Sequence, residues 1–229
     1  MNKNKRDRKP YSLKGVIITC VIFLALGVSS PVWAGDTGIL FLGDSLTAGL
    51  GVMPEEAYPA RIAELLKKKG IQNVKITNAS ISGSTTAGAV SRLKWFLRAT
   101  PDILVLALGA NDGLRGLSTA EMSKNLEKTI LLAQANGVRV ILAGMKLPPN
   151  YGPDYSRGFT QVFVMLAQKY NLSFIPFLLE SVAGNPLLNQ ADGIHPNRAG
   201  HEIIAVTVLP YIQEQYVQEQ CVQEQYIQE

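Results

Sequence analysis

Between Gly38 and Tyr211, short apolar runs alternate with longer stretches whose apolar residues recur at helical spacing. The runs at residues 39–42, 74–77, 102–108, 138–144 and 172–175 predict five strands. The third reads Ile103-Leu104-Val105-Leu106-Ala107-Leu108, the unbroken pattern of a strand buried on both faces. Residues 58–69, 90–99 and 155–170 predict helices. Ser118 with Glu121 three positions on opens another, running to about Asn136 and stopped by Gly137. A last helix is expected from Pro196, placed in its first turn, to about Tyr211. Strand and helix in strict alternation imply an α/β fold, with a five-stranded parallel sheet covered by helices on both faces. In such folds ligands gather at the carboxyl ends of the strands, so a functional motif should fall just after a strand.

The two ends of the chain follow other rules. Residues 1–14 are basic, residues 16–28 are almost wholly apolar, and Val32-Trp33-Ala34 ends in a small residue. These are the three parts of a secretory signal peptide, with cleavage expected after Ala34. The apolar run is shorter than the roughly 20 residues a spanning helix needs, so no stable membrane anchor is expected once the signal is gone. Residues 1–34 hold six basic side chains and Asp7, a net +5 against +4 for the whole chain, which leaves about −1 for the rest. The basic balance thus belongs to the leader, and no charge-based case remains for nucleic acid or an anionic membrane as partner. Cys20 lies in the leader, so only Cys221 remains and no internal disulfide is expected. No cluster has metal-ligand spacing, and no metal is expected. Residues 35–212 read as one domain, expected to be periplasmic or secreted and monomeric. Residues 213–229 belong to a five-residue repeat, in which Tyr211, Tyr216, Cys221 and Tyr226 head successive units. Five residues advance about 140° around a helix, so no apolar stripe forms, and a mobile or frayed-helix tail is expected, the alternative being a small association surface made by the tyrosines and Cys221.

Four motifs fall in the predicted loops. Gly43-Asp44-Ser45-Leu46 follows the first strand, Gly83 lies in the loop after the second, Asn111-Asp112 follows the third, and Asp192-Gly193-Ile194-His195 precedes the last helix. Each alone is weak: a loop glycine or asparagine is more often a turn residue. Together they meet the separate needs of acyl transfer, a nucleophile, a base, a group that orients the base, and donors for an oxyanion. Ser45 fits the nucleophile, His195 the base and Asp192 its orienter. The Ser45 and Gly83 N–H groups and the Asn111 amide can supply the oxyanion hole. The only other histidine, His201, sits inside the last predicted helix with no acid three residues before it. Asp44 more plausibly bonds its own loop than joins the chemistry, and Asp112 shares that ambiguity. Leu114, Leu117, Leu147, Pro148, Tyr151 and Ile194 flank the crevice and suit an acyl chain or plain packing. An α/β-hydrolase elbow is ruled out, because Leu46 and Thr47 follow Ser45 where that motif needs a second glycine.

These residues resemble the SGNH (GDSL-type) hydrolase family, whose four markers match Ser45, Gly83, Asn111 and His195, with Asp192 as the Asp-x-x-His partner. The resemblance spans nearly all of residues 36–212 and is nearest the bacterial periplasmic acyl-CoA thioesterase, lysophospholipase and arylesterase branch. It implies a flavodoxin-like three-layer α/β/α fold, ester and thioester hydrolysis of small-molecule or lipid substrates, and no cofactor. It also implies that Asp112 to Leu117 shape acyl binding. A carbohydrate O-acetyl esterase, or a catalytically silent lipid- or glycan-binding module on the same fold, stays open at this point.

Overall fold

The computed structural model describes residues 36–228, with side-chain surroundings up to Gln218. The expected leader and the side chain of Cys221 lie outside that description. Five parallel strands form one sheet: β1 (Thr37–Gly43), β2 (Val74–Asn78), β3 (Ile103–Ala107), β4 (Arg139–Ala143) and β5 (Ser173–Ile175). Their spatial order is β2-β1-β3-β4-β5, and every neighbouring pair is parallel. This is the flavodoxin-like order, in which the chain reverses its direction of travel between β1 and β3 and opens a crevice there.

Sequence and position in the sheet agree. Central β1 and β3 place Ile39 beside Ile103 and Phe41 beside Val105, and their apolar residues are buried on both faces. Such strands need no polar alternation. Edge strand β2 is only half-buried, and Lys75 on it is exposed, a charge of the kind that discourages further strand pairing. Seven α-helices among the described residues complete the fold: α1 (Ser45–Ala48), α2 (Tyr58–Lys68), α3 (Ala89–Phe96), α4 (Ala110–Leu114), α5 (Thr119–Ala135), α6 (Pro153–Lys169) and α7 (Arg198–Gln228). Helices α2 and α7 pack together as one layer, while α5 touches both α3 and α6 in the other. On α2 the buried side chains Tyr58, Ile62 and Leu66 lie four apart, one face of a helix. The Ser118 hydroxyl caps α5 by accepting the Glu121 N–H.

Two expectations about the last helix are corrected. It starts at Arg198, not in the turn that holds Pro196. Pro196 instead pairs with Asn189 in an isolated bridge, and the Asn197 side chain accepts the Gly200 N–H in the manner of an N-cap. At the other end α7 does not stop near Tyr211 but runs through the repeat to Gln228, across the expected boundary at residue 212. The Gln- and Glu-rich repeat contains no glycine or proline to end it, and these residues are good helix formers even without an apolar stripe. Ile212 and Gln215 are buried, so the first turn of the repeat packs on the domain.

Candidate active site

The segments after β1, β3, β4 and β5 converge at the carboxyl edge of the sheet on one cavity of about 710 Å³. Asp44 and Ser45 enter it from the end of β1, and Asn111 from the end of β3. Ile194 and His195 enter from the segment before α7. Ser45 and His195 are 150 positions apart in sequence, yet the His195 Nε2 and Ser45 Oγ lie 2.9 Å apart. The opposite ring nitrogen, Nδ1, meets Asp192 Oδ2 at 2.7 Å. Asp192 itself is fixed by its loop, for Oδ1 accepts the Ile194 and His195 N–H groups at 2.9 Å each. Those N–H groups, with the His195 ring, hold the Asp192 carboxyl down at about 2, so it is charged throughout the working pH range. A carboxylate that accepts from Nδ1–H leaves Nε2 as the acceptor facing the serine hydroxyl.

Ser45 is the first residue of α1, where backbone N–H groups have no intrahelical acceptor. The Asp44 side chain caps this helix by accepting the Leu46 N–H at 3.1 Å. The Asp44 carboxylate also receives a hydrogen bond from the Asn111 amide at 3.3 Å. Asp44 is buried, and loss of water around it pushes its carboxyl up to about 6, against the opposing pull of the Leu46 and Asn111 donors and of nearby His195. Asn111 owes its place to Gly109. That glycine has φ +122°, and a Cβ there would stand 2.9 Å from Phe163 Cζ. Gly83, at φ +76°, is not itself among the residues that line the cavity; its loop is strapped to the nucleophile turn. Ile81 N–H donates to the Gly43 carbonyl, and the Arg92 guanidinium bridges the Gly43 carbonyl (2.9 Å) and the Ser84 hydroxyl (2.6 Å).

The flanking residues divide into two groups. Leu114, Leu147, Pro148, Tyr151 and Ile194 line the cavity, and the Tyr151 hydroxyl donates to the Leu114 carbonyl at 2.9 Å, tying two walls together. Asp112 and Leu117 stand outside the wall. Asp112 is buried and accepts from the Thr86 N–H (2.9 Å) and hydroxyl (2.6 Å), while Asn125 donates to the same hydroxyl. Its place is a clamp joining the segments that follow Gly83 and Asn111, and the expectation that it contacts substrate is corrected. Leu117 is 43% exposed, and its carbonyl accepts from the Tyr155 hydroxyl at 2.7 Å. Sequence reasoning passed over Met145, Lys146, Phe177, Leu179 and Ala183, which also line the cavity. Phe177 and Leu179 closely follow β5, but they carry no chemical motif to mark them. Lys146 Nζ lies 4.6 Å from the centre of the Phe177 ring and 3.9 Å from Glu180. No group of metal-binding side chains occurs among the described residues, and no described helix is long and apolar enough to cross a membrane.

A serine, histidine and aspartate in hydrogen-bonded series at the strand ends of a flavodoxin-like sheet define a serine hydrolase of the α/β class. The chain belongs to the GDSL-like Lipase/Acylhydrolase family, which it matches over residues 41–203. It is 39% identical over 191 residues to the esterase TesA of Pseudomonas aeruginosa, covering 83% of this chain and 94% of that one. It is 36% identical over 173 residues to the thioesterase 1/protease 1/lysophospholipase L1 of Escherichia coli K12, covering 75% and 81% respectively. The crystal structure of TesA superposes with a TM-score of 0.75 at 38% identity, covering 78% of this chain and 99% of that one.

Proposed function

We propose that the protein is exported and hydrolyses acyl esters and thioesters through an acyl-enzyme on Ser45. The observation that carries this reading is the Ser45–His195–Asp192 series opening onto a large cavity with mostly apolar walls. His195 Nε2 takes the Ser45 proton as Oγ bonds to the substrate carbonyl carbon. The carbonyl oxygen becomes an oxyanion, received by the Ser45 and Gly83 N–H groups and the Asn111 amide. On collapse, the bond to the leaving alcohol or thiol breaks, and that group takes the proton from His195. Water, deprotonated by His195, then attacks the acyl-serine; as the Oγ–acyl bond breaks, Ser45 regains a proton from His195 and the acid is released. Asp192 stays ionised throughout and supports the imidazolium.

Leu114, Leu147, Tyr151, Phe177 and Leu179 offer apolar surface to an acyl chain, and a cavity of this size suits a chain longer than acetyl. The relatives named as esterase, thioesterase and lysophospholipase support that substrate class. The basic, apolar and small-residue sequence of residues 1–34 supports export to the periplasm or medium. Hydrolysis of p-nitrophenyl esters from acetyl to palmitoyl tests the substrate class. Activity should rise from acetyl to octanoyl, whereas a maximum at acetyl would point to an O-acetyl esterase. A folded protein inert on every ester would point to a silent binding module.

A further inference from the structure

We infer that Asp44 is a positioning residue for Asn111, and that its negative charge decides which end of the Asn111 amide faces the oxyanion. The inference rests on the assignment of Asn111 as an oxyanion donor.

The geometry is specific. Asp44 is 1% exposed. Its Oδ1 is occupied by the Leu46 N–H, and its Oδ2 lies 3.3 Å from Asn111 Nδ2. Both residues line the cavity beside Ser45. An asparagine amide has two ends of nearly identical shape and opposite polarity, with two donors on Nδ2 and an acceptor on Oδ1. Rotation about its last bond is roughly two-fold, so packing alone chooses weakly between them. A carboxylate accepts only. An ionised Asp44 therefore binds the Nδ2 end, using one of its hydrogens and leaving the second for the cavity. With the amide turned over, Oδ1 would face Oδ2 of Asp44, and it would present a lone pair to the developing oxyanion.

Protonation reverses the preference. Oδ1 stays committed to the Leu46 N–H, so the proton on a neutral Asp44 sits on Oδ2, which then seeks an acceptor. The Asn111 Oδ1 is the acceptor within reach, and turning to meet it withdraws the N–H from the hole. The burial that raises the Asp44 carboxyl to about 6 brings this change close to neutral pH. The other ionisable groups coupled to Asp44 are His195 and Arg92, and the buried Tyr58 phenol, which burial and Asp44 itself push up so that it stays neutral.

Four proteins assayed on p-nitrophenyl octanoate test the inference: wild type, Asp44→Asn, Asn111→Ala and the double variant. Asn111→Ala is expected to lower kcat by about 10²–10³. Asp44→Asn, whose new amide group confronts Nδ2, should lower kcat by a similar factor with KM little changed. In the double variant the losses should not multiply, because Asp44 acts only through Asn111. If the losses multiply, or if Asp44→Asn keeps wild-type kcat, Asp44 does not position Asn111. If Asn111→Ala keeps wild-type kcat, the oxyanion assignment falls and the inference with it. The pH dependence needs no Asp44 variant and holds even if Asp44→Asn does not fold. The ratio of wild-type to Asn111→Ala kcat should shrink from about 10²–10³ at pH 8 towards unity at pH 5. Both proteins keep His195, Arg92 and Tyr58, so the ratio isolates the part of the pH dependence that runs through Asn111. A ratio constant across this range overturns the inference.

Discussion

At the scale of single residues, Asp192 shows how a short loop prepares a catalytic base. Its carboxylate is fixed by two backbone N–H groups before it meets the imidazole, so the ring is held by an already rigid partner. Asp192→Asn keeps the shape but places an amide N–H against His195 Nδ1. The ring must then carry its proton on Nε2, where it cannot take one from Ser45. A kcat loss of about 10⁴ with KM nearly unchanged is expected in steady-state assays, and a loss of less than about ten-fold would contradict the assigned role. Because the Asp192 carboxyl is held at about 2, its titration should not contribute to the acid limb of the pH–rate profile above about pH 4. Ser45, Asn111, Asp192 and His195 were legible in sequence because each belongs to a short motif in a loop at the crevice. Asp112 was not legible as a clamp. Its partner Thr86 lies 26 positions away, and nothing local marks its carboxylate as buried.

Among the elements, α7 departs furthest from the sequence reading. Pro196 and Asn197 are both good residues for a helix start, and pattern alone does not say which opens it. The bridge to Asn189 takes Pro196 out of the helix and leaves Asn197 to cap it. The missing apolar stripe left the tail open between a mobile segment and a frayed helix, and helix formers without breakers can extend a helix already anchored by packing. Burial locates the end of that anchoring: Ile212 and Gln215 are covered, while Val217 and Gln218 are exposed. A chain ending at Gln218 should keep the full-length melting temperature and activity. A chain ending at Tyr211 loses the buried Ile212 and should be less stable by about 2–4 kcal/mol, measured by urea unfolding. Equal stability of the two truncations would show that the repeat contributes nothing to the fold.

Across the whole molecule, two buried groups set opposing responses to acid. His201 is stacked on Tyr58, accepts the Tyr58 N–H, and is held neutral by burial, with its titration moved from 6.5 down to about 4. The unfolded chain binds that proton first, so this residue lowers stability as the pH falls from about 6.5 to about 4. Asp44 moves the other way, from 3.8 up to about 6. Here the folded protein binds the proton first, so its contribution to stability rises as the pH falls from about 6 to about 3.8. At about 1.4 kcal/mol per pH unit, each contributes on the order of 3 kcal/mol, and the two offset one another. Asp44→Asn removes the compensating half. Relative to wild type, its melting temperature should fall by roughly 5–10 °C between pH 7 and pH 4.5 in scanning calorimetry. His201→Asn should gain over the same interval, and parallel profiles for all three proteins would refute the balance. The sheet and its strand-end crevice were legible because alternation and continuous apolar runs encode them directly. The far wall of the cavity was not, since Phe177, Leu179 and Ala183 carry no chemical motif and are recruited only by the way the segment after β5 folds back.

The central claim, a nucleophilic Ser45 activated by His195, is tested most directly by covalent labelling. Protein treated with a fluorophosphonate and analysed by intact-mass and peptide mass spectrometry should gain one adduct, located on Ser45. Labelling should be lost in Ser45→Ala and slowed by orders of magnitude in His195→Ala. An adduct on another residue, or a folded protein that takes no label, would contradict the account.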